Sequence, residues 1–210
     1  FMKLVELLTQ EFVEKVASEA PAPGGGSVSA LAGALAAALC AMVARLTLGK
    51  EKYRDTWQEM EQVRDSADAL MRRLLELVDE DTAAYNEVLS AFRLPKETPS
   101  EKAARQAAIQ SATRKAAAVP METLRNVAGL LAPAEAAVEK GNPHCLSDAG
   151  VAAHLVRAAA SGAAYNVRIN LSGLDDPGLS TQMKLETTEL LSRVMSGVAK
   201  LQETLNKRLR

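Results

Sequence analysis

Aromatic residues are scarce in this 210-residue chain, at 3%, and 25 Lys+Arg against 26 Asp+Glu leave a formal net charge of -1. So few rings offer no base-stacking platform, and so little charge offers no basic field; together these exclude a nucleic-acid reader. Cys40 and Cys145 are too few for a disulfide framework and read as packed free thiols of a reduced, cytoplasmic protein. A charged leader with a short apolar run and cleavage site is missing, so no secretory signal is expected. Phe1 stands ahead of Met2 and is read as an addition before a native start at Met2. No Walker-type loop follows a strand, and no GxSxG, HExxH or CxxC motif occurs. His144 and His154 lack Cys or carboxylate partners at ligand spacing, so no metal site is expected, and His154 reads as a packed or surface histidine.

What the chain has in abundance is alanine, 38 residues, within 48% hydrophobic and 24% charged residues. Alanine is the best helix former and a poor strand former, which excludes an all-β fold. The segment 27–44, SVSALAGALAAALCAMVA, carries no charge and is long enough to cross a membrane. It is built of Ala, Gly and Ser without an aromatic belt, so it reads as a buried helix of a soluble bundle, not a span.

The periodicity is helical throughout. Leu4, Val5, Leu8, Phe12, Val13 and Val16 predict one helix ending before Pro21, and Ser27 opens a second that Gly49 stops. A long helix is predicted over 54–92, with the seam Met60, Val63, Ala67, Leu70, Leu74, Leu77, Asp81, Ala84, Val88, Ala91 alternating steps of three and four. Thr98, Pro99 and Glu101 form a capping box for the next helix, expected to end at Val119 before Pro120. A further helix is expected after Pro120, perturbed at Pro133 and closed by 140–143. Ser147 or Asp148 then caps a helix over 149–171, and the LDDPG turn precedes a last helix carrying Met183, Thr187, Leu190, Val194, Val198, Leu201 and Leu205. No linker or repeat divides the chain. It reads as one all-α domain over 1–210, a multi-helical bundle with long antiparallel helices. A rod of roughly 58 Å, from 39 residues at 1.5 Å each, leaves surface that one subunit covers poorly, so a homodimer is expected.

Asp81 stands out because it occupies an apolar seam, whereas Asp79 and Glu80 fall off it. A buried carboxylate without partners costs several kcal/mol, so it either fixes helix register or does chemistry. Asp148 is either a cap or a second acid. Asn166 and Asn170, at i and i+4, could orient a polar heterocycle or pair with each other. Gly24, Gly25, Gly26 and Ser27 precede a helix N-terminus whose free N–H groups attract anions or ligand oxygens. Lys50, Lys52, Arg93 and Lys96 sit in two interhelical breaks and could hold carboxylates if both breaks face one cleft.

Four blocks resemble the cyclodeaminase/cyclohydrolase family: PAPGGGSVSALAGALAAALCAMV (21–43), LVDEDTAAYNEVLSAFRLPKETPSEK (77–102), GNPHCLSDAGVAAHL (141–155) and GAAYNVRINL (162–171). That family includes the C-terminal domain of formiminotransferase-cyclodeaminase and stand-alone methenyltetrahydrofolate cyclohydrolases. The resemblance implies an all-helical dimer acting on one-carbon tetrahydrofolates, with the folate as substrate and no further cofactor. It matches the family's catalytic aspartate to Asp81 and places the GGGS turn, Ser147-Asp148 and Asn166–Asn170 in family blocks. No formiminotransferase portion lies within the 210 residues, so hydrolysis of 5,10-methenyltetrahydrofolate to 10-formyltetrahydrofolate is the leading expectation. Formiminotetrahydrofolate cyclodeaminase and a silent helical interaction module are the alternatives.

Overall fold

Alanine gives helices little side chain to hold them apart. Helices of this chain therefore approach one another closely, and the larger residues are spent where gaps remain. The computed structural model describes residues 3–209; Phe1, Met2 with its reading as a native start, and Arg210 lie outside the described residues. Seven α-helices follow in order: α1 (Thr9–Val16), α2 (Gly25–Thr47), α3 (Trp57–Phe92), α4 (Pro99–Gly129), α5 (Leu131–Lys140), α6 (Leu146–Leu171) and α7 (Pro177–Arg208). Short 3-10 turns at Leu4–Glu6, Glu51–Thr56 and Pro143–Cys145 complete them, and no strand occurs among the described residues.

Helices α2, α3, α4 and α6 pack in the cyclic order α2–α3–α4–α6, each against two neighbours. Cross-helix pairs show that neighbours run antiparallel. Ser27 meets Asp81 and Arg45 meets Asp68; Glu87 meets Lys115 and Arg73 meets Glu122; Asn142 meets Leu46, while Asn170 meets Ala116. Helix α7 lies along α6 and α4, and α5 contacts α3, α6 and α7. One apolar cluster runs from Leu4 to Leu205. On α6 it is almost all alanine, with Ala149, Ala152, Ala153, Ala159, Ala160, Ala163 and Ala164 fully buried. The bulk comes from Leu74 and Leu77 of α3, Leu124 of α4 and Leu130.

Helix α2 is long and apolar enough to cross a membrane. It packs instead between α3 and α6, with Ala30, Ala36, Ala37, Cys40, Val43 and Ala44 fully buried. Gly49, at φ +76°, turns the chain out of it. Burial pushes the Cys40 thiol up to about 12, so this group is packing and not a nucleophile.

Besides α2, which opens at Gly25 and carries Ser27 within its first turn, four boundaries differ from the sequence expectation. The first predicted helix is divided, because Leu7 and Leu8 are extended and the Glu11 carboxylate accepts the Leu8 N–H at 3.0 Å, starting a fresh helix at Thr9. Helix α3 begins at Trp57, after the 3-10 turn. Asp148 does not cap α6, which starts at Leu146 and carries Asp148 inside its first turn. Asn142 takes over that corner. Its side-chain oxygen accepts the His144 N–H at 3.1 Å and the Tyr53 hydroxyl at 3.0 Å, while its backbone N–H donates to Thr47 at 2.8 Å.

The fourth difference is at Pro120, which does not end α4. Proline has no N–H to give the carbonyl four residues back, here Ala116. Asn170 of α6 supplies the missing donor, with Nδ2 at 2.7 Å from that carbonyl. Asn170 thus lets a proline sit inside α4 while joining α4 to α6. Asn170→Ala should strand a part-buried carbonyl and cost about 1–3 kcal/mol, seen as a drop of several degrees in Tm. Pro120→Ala in that background restores an N–H and should recover most of the loss in a double-mutant cycle.

Candidate active site

The N-terminus of α2 is built from Gly24-Gly25-Gly26-Ser27, and it abuts α3 where the seam changes from Leu77 to Asp81. Glycine is required there by space. A Cβ on Gly26 would lie 2.6 Å from Cγ of Asp81, so the carboxyl rests directly on the α2 backbone. Ser27 is fully buried beneath it. Its Oγ donates to Oδ2 of Asp81 at 2.9 Å and lies 3.0 Å from the Val78 carbonyl and 3.2 Å from Oγ1 of Thr82. Oδ1 of Asp81 is the oxygen nearer Gly26 and accepts no side-chain hydrogen bond among the described residues.

This environment decides the acidity of Asp81. Burial pushes its carboxyl above the ordinary carboxylate range, more than the Ser27 hydroxyl and backbone N–H draw it down. Asp81 is only half-buried. The other two acids of the VDED segment are committed elsewhere, Asp79 to the Leu4 N–H at 2.6 Å and Glu80 to Arg73 at 2.6 Å.

Helix α6 brings one of its two amides to the site. Asn166 Nδ2 donates to the Gly162 carbonyl at 2.8 Å and would lie 3.4 Å from a Cβ on Gly25, so this side chain borders the glycine turn. The first intrahelical bond of α2 runs from Val28 N–H to the Gly24 carbonyl at 3.0 Å, leaving the N–H groups of its first turn without helical partners. The constellation is therefore Asp81, Ser27, the first turn of α2 and Asn166. Helix α3 continues 11 residues beyond Asp81, roughly 17 Å, so it stands as a wall past the start of α2.

Other expected site residues lie apart. Asn170 donates through Nδ2 to the Ala116 carbonyl of α4 and so ties α6 to α4. Ser147 and Asp148 stand 18 residues up α6 from Asn166, roughly 27 Å away, so one chain does not bring Asp148 to Asp81. Lys50 and Lys52 flank the start of α3, while Arg93 and Lys96 follow its end, and about 54 Å of helix separates the two breaks. They cannot line one cleft within a chain. Two other cations, Lys3 and Lys15, border a cleft of about 900 Å³, together with Asp79, Thr82 and Asn86. Asp81 does not line this cleft; Thr82 links the two, lining the cleft while bonding to Ser27. Helical periodicity from the α3 seam could have put Asp79, Ala83, Asn86 and Ser90 on one outer face, but nothing in sequence placed the N-terminal lysines over it.

Gly26→Ala should push the Asp81 carboxyl aside with little loss of stability, because the clash is with the end of a side chain. Turnover should fall about 10²-fold or more, as expected for a displaced acid/base, while Tm moves little. Circular dichroism melts and steady-state kinetics on one preparation check both.

The profile of the formiminotransferase-cyclodeaminase family matches residues 8–189. Methenyltetrahydrofolate cyclohydrolase of Methylorubrum extorquens is 38% identical over 200 residues, covering 95% of this chain and 96% of that protein. Formimidoyltransferase-cyclodeaminase of Sus scrofa is 35% identical over 94% of this chain, which spans 36% of that longer protein. The crystal structure of formiminotetrahydrofolate cyclodeaminase from Thermotoga maritima has a TM-score of 0.88 at 30% identity, covering 99% of this chain and 100% of that one. The matched range spans all four blocks that carry the resemblance in the sequence, and the chain belongs to the formiminotransferase-cyclodeaminase family.

Proposed function

We propose that this protein is a methenyltetrahydrofolate cyclohydrolase, with Asp81 as its acid/base. The observation that carries the reading is a half-buried carboxyl, raised in pKa, with one oxygen held by the Ser27 hydroxyl and the other free of side-chain partners. The 38% identity over 96% of a relative named for this reaction favours it over the cyclodeaminase. In 5,10-methenyltetrahydrofolate an amidinium cation bridges N5 and N10. Water adds to the bridging carbon while Asp81 takes its proton, forming a neutral carbinolamine. The N5–carbon bond then breaks as the proton passes from Asp81 to N5, the carbinol O–H gives its proton to solvent as the formyl C=O forms, and 10-formyltetrahydrofolate leaves. An ionised Asp81 also stabilises the bound cation. The free N–H groups of α2 are placed to receive the oxygen of the incipient formyl group. The steps balance with one water consumed, one proton released to solvent and Asp81 returned to its starting state, and no cofactor beyond the folate enters them. Two unpaired, buried thiols are in keeping with a cytoplasmic setting.

The cyclodeaminase is the second reading, favoured by the full-length likeness to the Thermotoga maritima structure. The same residues would let N10 attack the formimino carbon while ammonia leaves with a proton. Purified protein offered each folate separately distinguishes them, by absorbance of the methenyl group and by ammonia release.

A homodimer belongs to this reading. The outer face of α2 leaves Val28, Leu35 and Leu46 exposed, and Val5, Leu8 and Val13 continue that face. Most of these side chains, with Phe12, Leu31 and Leu75, line an apolar groove of about 620 Å³. Such a patch calls for a partner, and a second copy buries it twice by symmetry. Light scattering should give a dimer, its interface above about 2,000 Å² in total. Leu35→Glu should yield a monomer; a wild-type monomer at assay concentration would overturn the assembly.

Asp81→Asn keeps shape and removes the proton acceptor, so turnover should fall about 10²–10⁴-fold. Stability should move the other way. A carboxyl raised on folding stabilises the native state below its unfolded pKa, and that contribution is lost as pH rises through the folded value. At neutral pH the wild type therefore bears a half-buried charge that the amide avoids. The variant should melt higher at neutral pH, by roughly 2–4 °C for each kcal/mol relieved. The difference should shrink as pH falls toward about 4, the unfolded value.

A further inference from the structure

Ser27 has one proton and three oxygens within reach. The Val78 carbonyl lies at 3.0 Å, Oδ2 of Asp81 at 2.9 Å and Oγ1 of Thr82 at 3.2 Å, and the residue has no exposure to water. Its partners are therefore all protein atoms, and the proton must choose among them. An ionised carboxylate is the strongest acceptor of the three, since charge-assisted bonds are roughly twice as strong as neutral ones. Thr82 can donate back to Ser27 Oγ, completing the set.

We propose that Ser27 is a positioning residue that ties down Oδ2 of Asp81, so that Oδ1 alone takes and returns the catalytic proton. With Asp81 ionised, Ser27 donates to Oδ2. When Oδ1 takes a proton from water, Oδ2 becomes a neutral carbonyl oxygen and a weaker acceptor. The Ser27 proton then has the Val78 carbonyl as its alternative, and the buried hydroxyl keeps an acceptor in both states. Delivery of the proton from Oδ1 to the leaving nitrogen restores the first arrangement. Without Ser27 the carboxyl can turn, and either oxygen can carry the proton away from the open side.

Few other ionisable groups act on Asp81. On α3, Asp79 and Glu80 are engaged with Leu4 and Arg73, and Tyr85 stands one turn on. Helix α2 has no ionisable side chain from Gly25 to Leu39, α6 presents Gly162 and Asn166 to the α2 N-terminus, and α4 meets Asn170 through the Ala116 carbonyl. The Ser27 hydroxyl is therefore the side chain that tunes this carboxyl downward.

The kinetic part of the proposal rests on the cyclohydrolase reading, so the test has an arm that needs no substrate. The Asp81 carboxyl is titrated by NMR in the ligand-free full chain labelled at Asp, its signal identified by absence in Asp81→Asn. Ser27→Ala should raise its midpoint by about 1–2 pH units, the worth of a hydrogen bond to a charged group. The ascending limb of kcat/KM against pH should move by the same amount, and kcat should fall about 10–100-fold with KM little changed. If Ser27→Ala does not fold, Ser27→Cys replaces a strong donor by a weak one at similar size and should shift both quantities in the same direction. A folded variant with midpoint and limb both unmoved overturns the proposal. A shifted midpoint in a protein that turns over neither folate supports Ser27 and overturns the cyclohydrolase reading.

Discussion

A carboxylate within the apolar seam of a helix must find something to lie against. In this protein Asp81 lies on the bare backbone of Gly26, with a buried serine beneath it. That contact requires α2 to start level with Asp81, so the glycine turn, the entry of α2 and the register of α2 on α3 are set together. Its consequence is chemical. Packing raises the carboxyl's pKa, and the first turn of a helix next to it offers N–H groups that no other part of α2 needs.

The rest of the fold makes that closeness practicable. Alanine dominates the buried face of α6, and Gly33 of α2 sits against Leu74 and Val127, where a Cβ would lie 2.9 Å from the valine. Small residues carry little hydrophobic payload each, about 0.8 kcal/mol per buried methylene-sized group. What they offer is short interhelical distance, which lets a polar cluster at the end of the bundle be built from backbone atoms and short side chains. Helix α2 then has an apolar outer face left over, which joins assembly to the same element that shapes the site.

Asn170 and Pro120 illustrate how polar pairing across helices replaces regular helix geometry. A proline inside α4 and an amide on α6 each look unfavourable alone, and together they leave no orphaned carbonyl. Asn142 plays a similar part at the opposite end, tying α2, the Tyr53 turn and the start of α6 into one hydrogen-bonded corner. Both amides mark places where one-dimensional rules for helix ends fail, because the donor or acceptor that decides the outcome comes from more than 50 residues away.

The sequence by itself determined the helical class, the seam of α3, the singularity of Asp81 on that seam, the Thr98–Glu101 cap and the burial of α2, since each rests on spacing or composition along one helix. It also held the four blocks that resemble the family, so family membership was legible from residues in order. Tertiary structure alone decided which of the marked residues meet. It joined Gly26 and Ser27 to Asp81, brought Asn166 to the glycine turn beside it, sent Asn170 to the backbone of α4, and set Asp148 and the Lys50–Lys52 break far from the carboxyl. The physical reason is length. Helices of 23 to 36 residues carry neighbours in sequence to opposite ends of a bundle, and only the antiparallel pairing of α2, α3 and α6 settles which ends coincide.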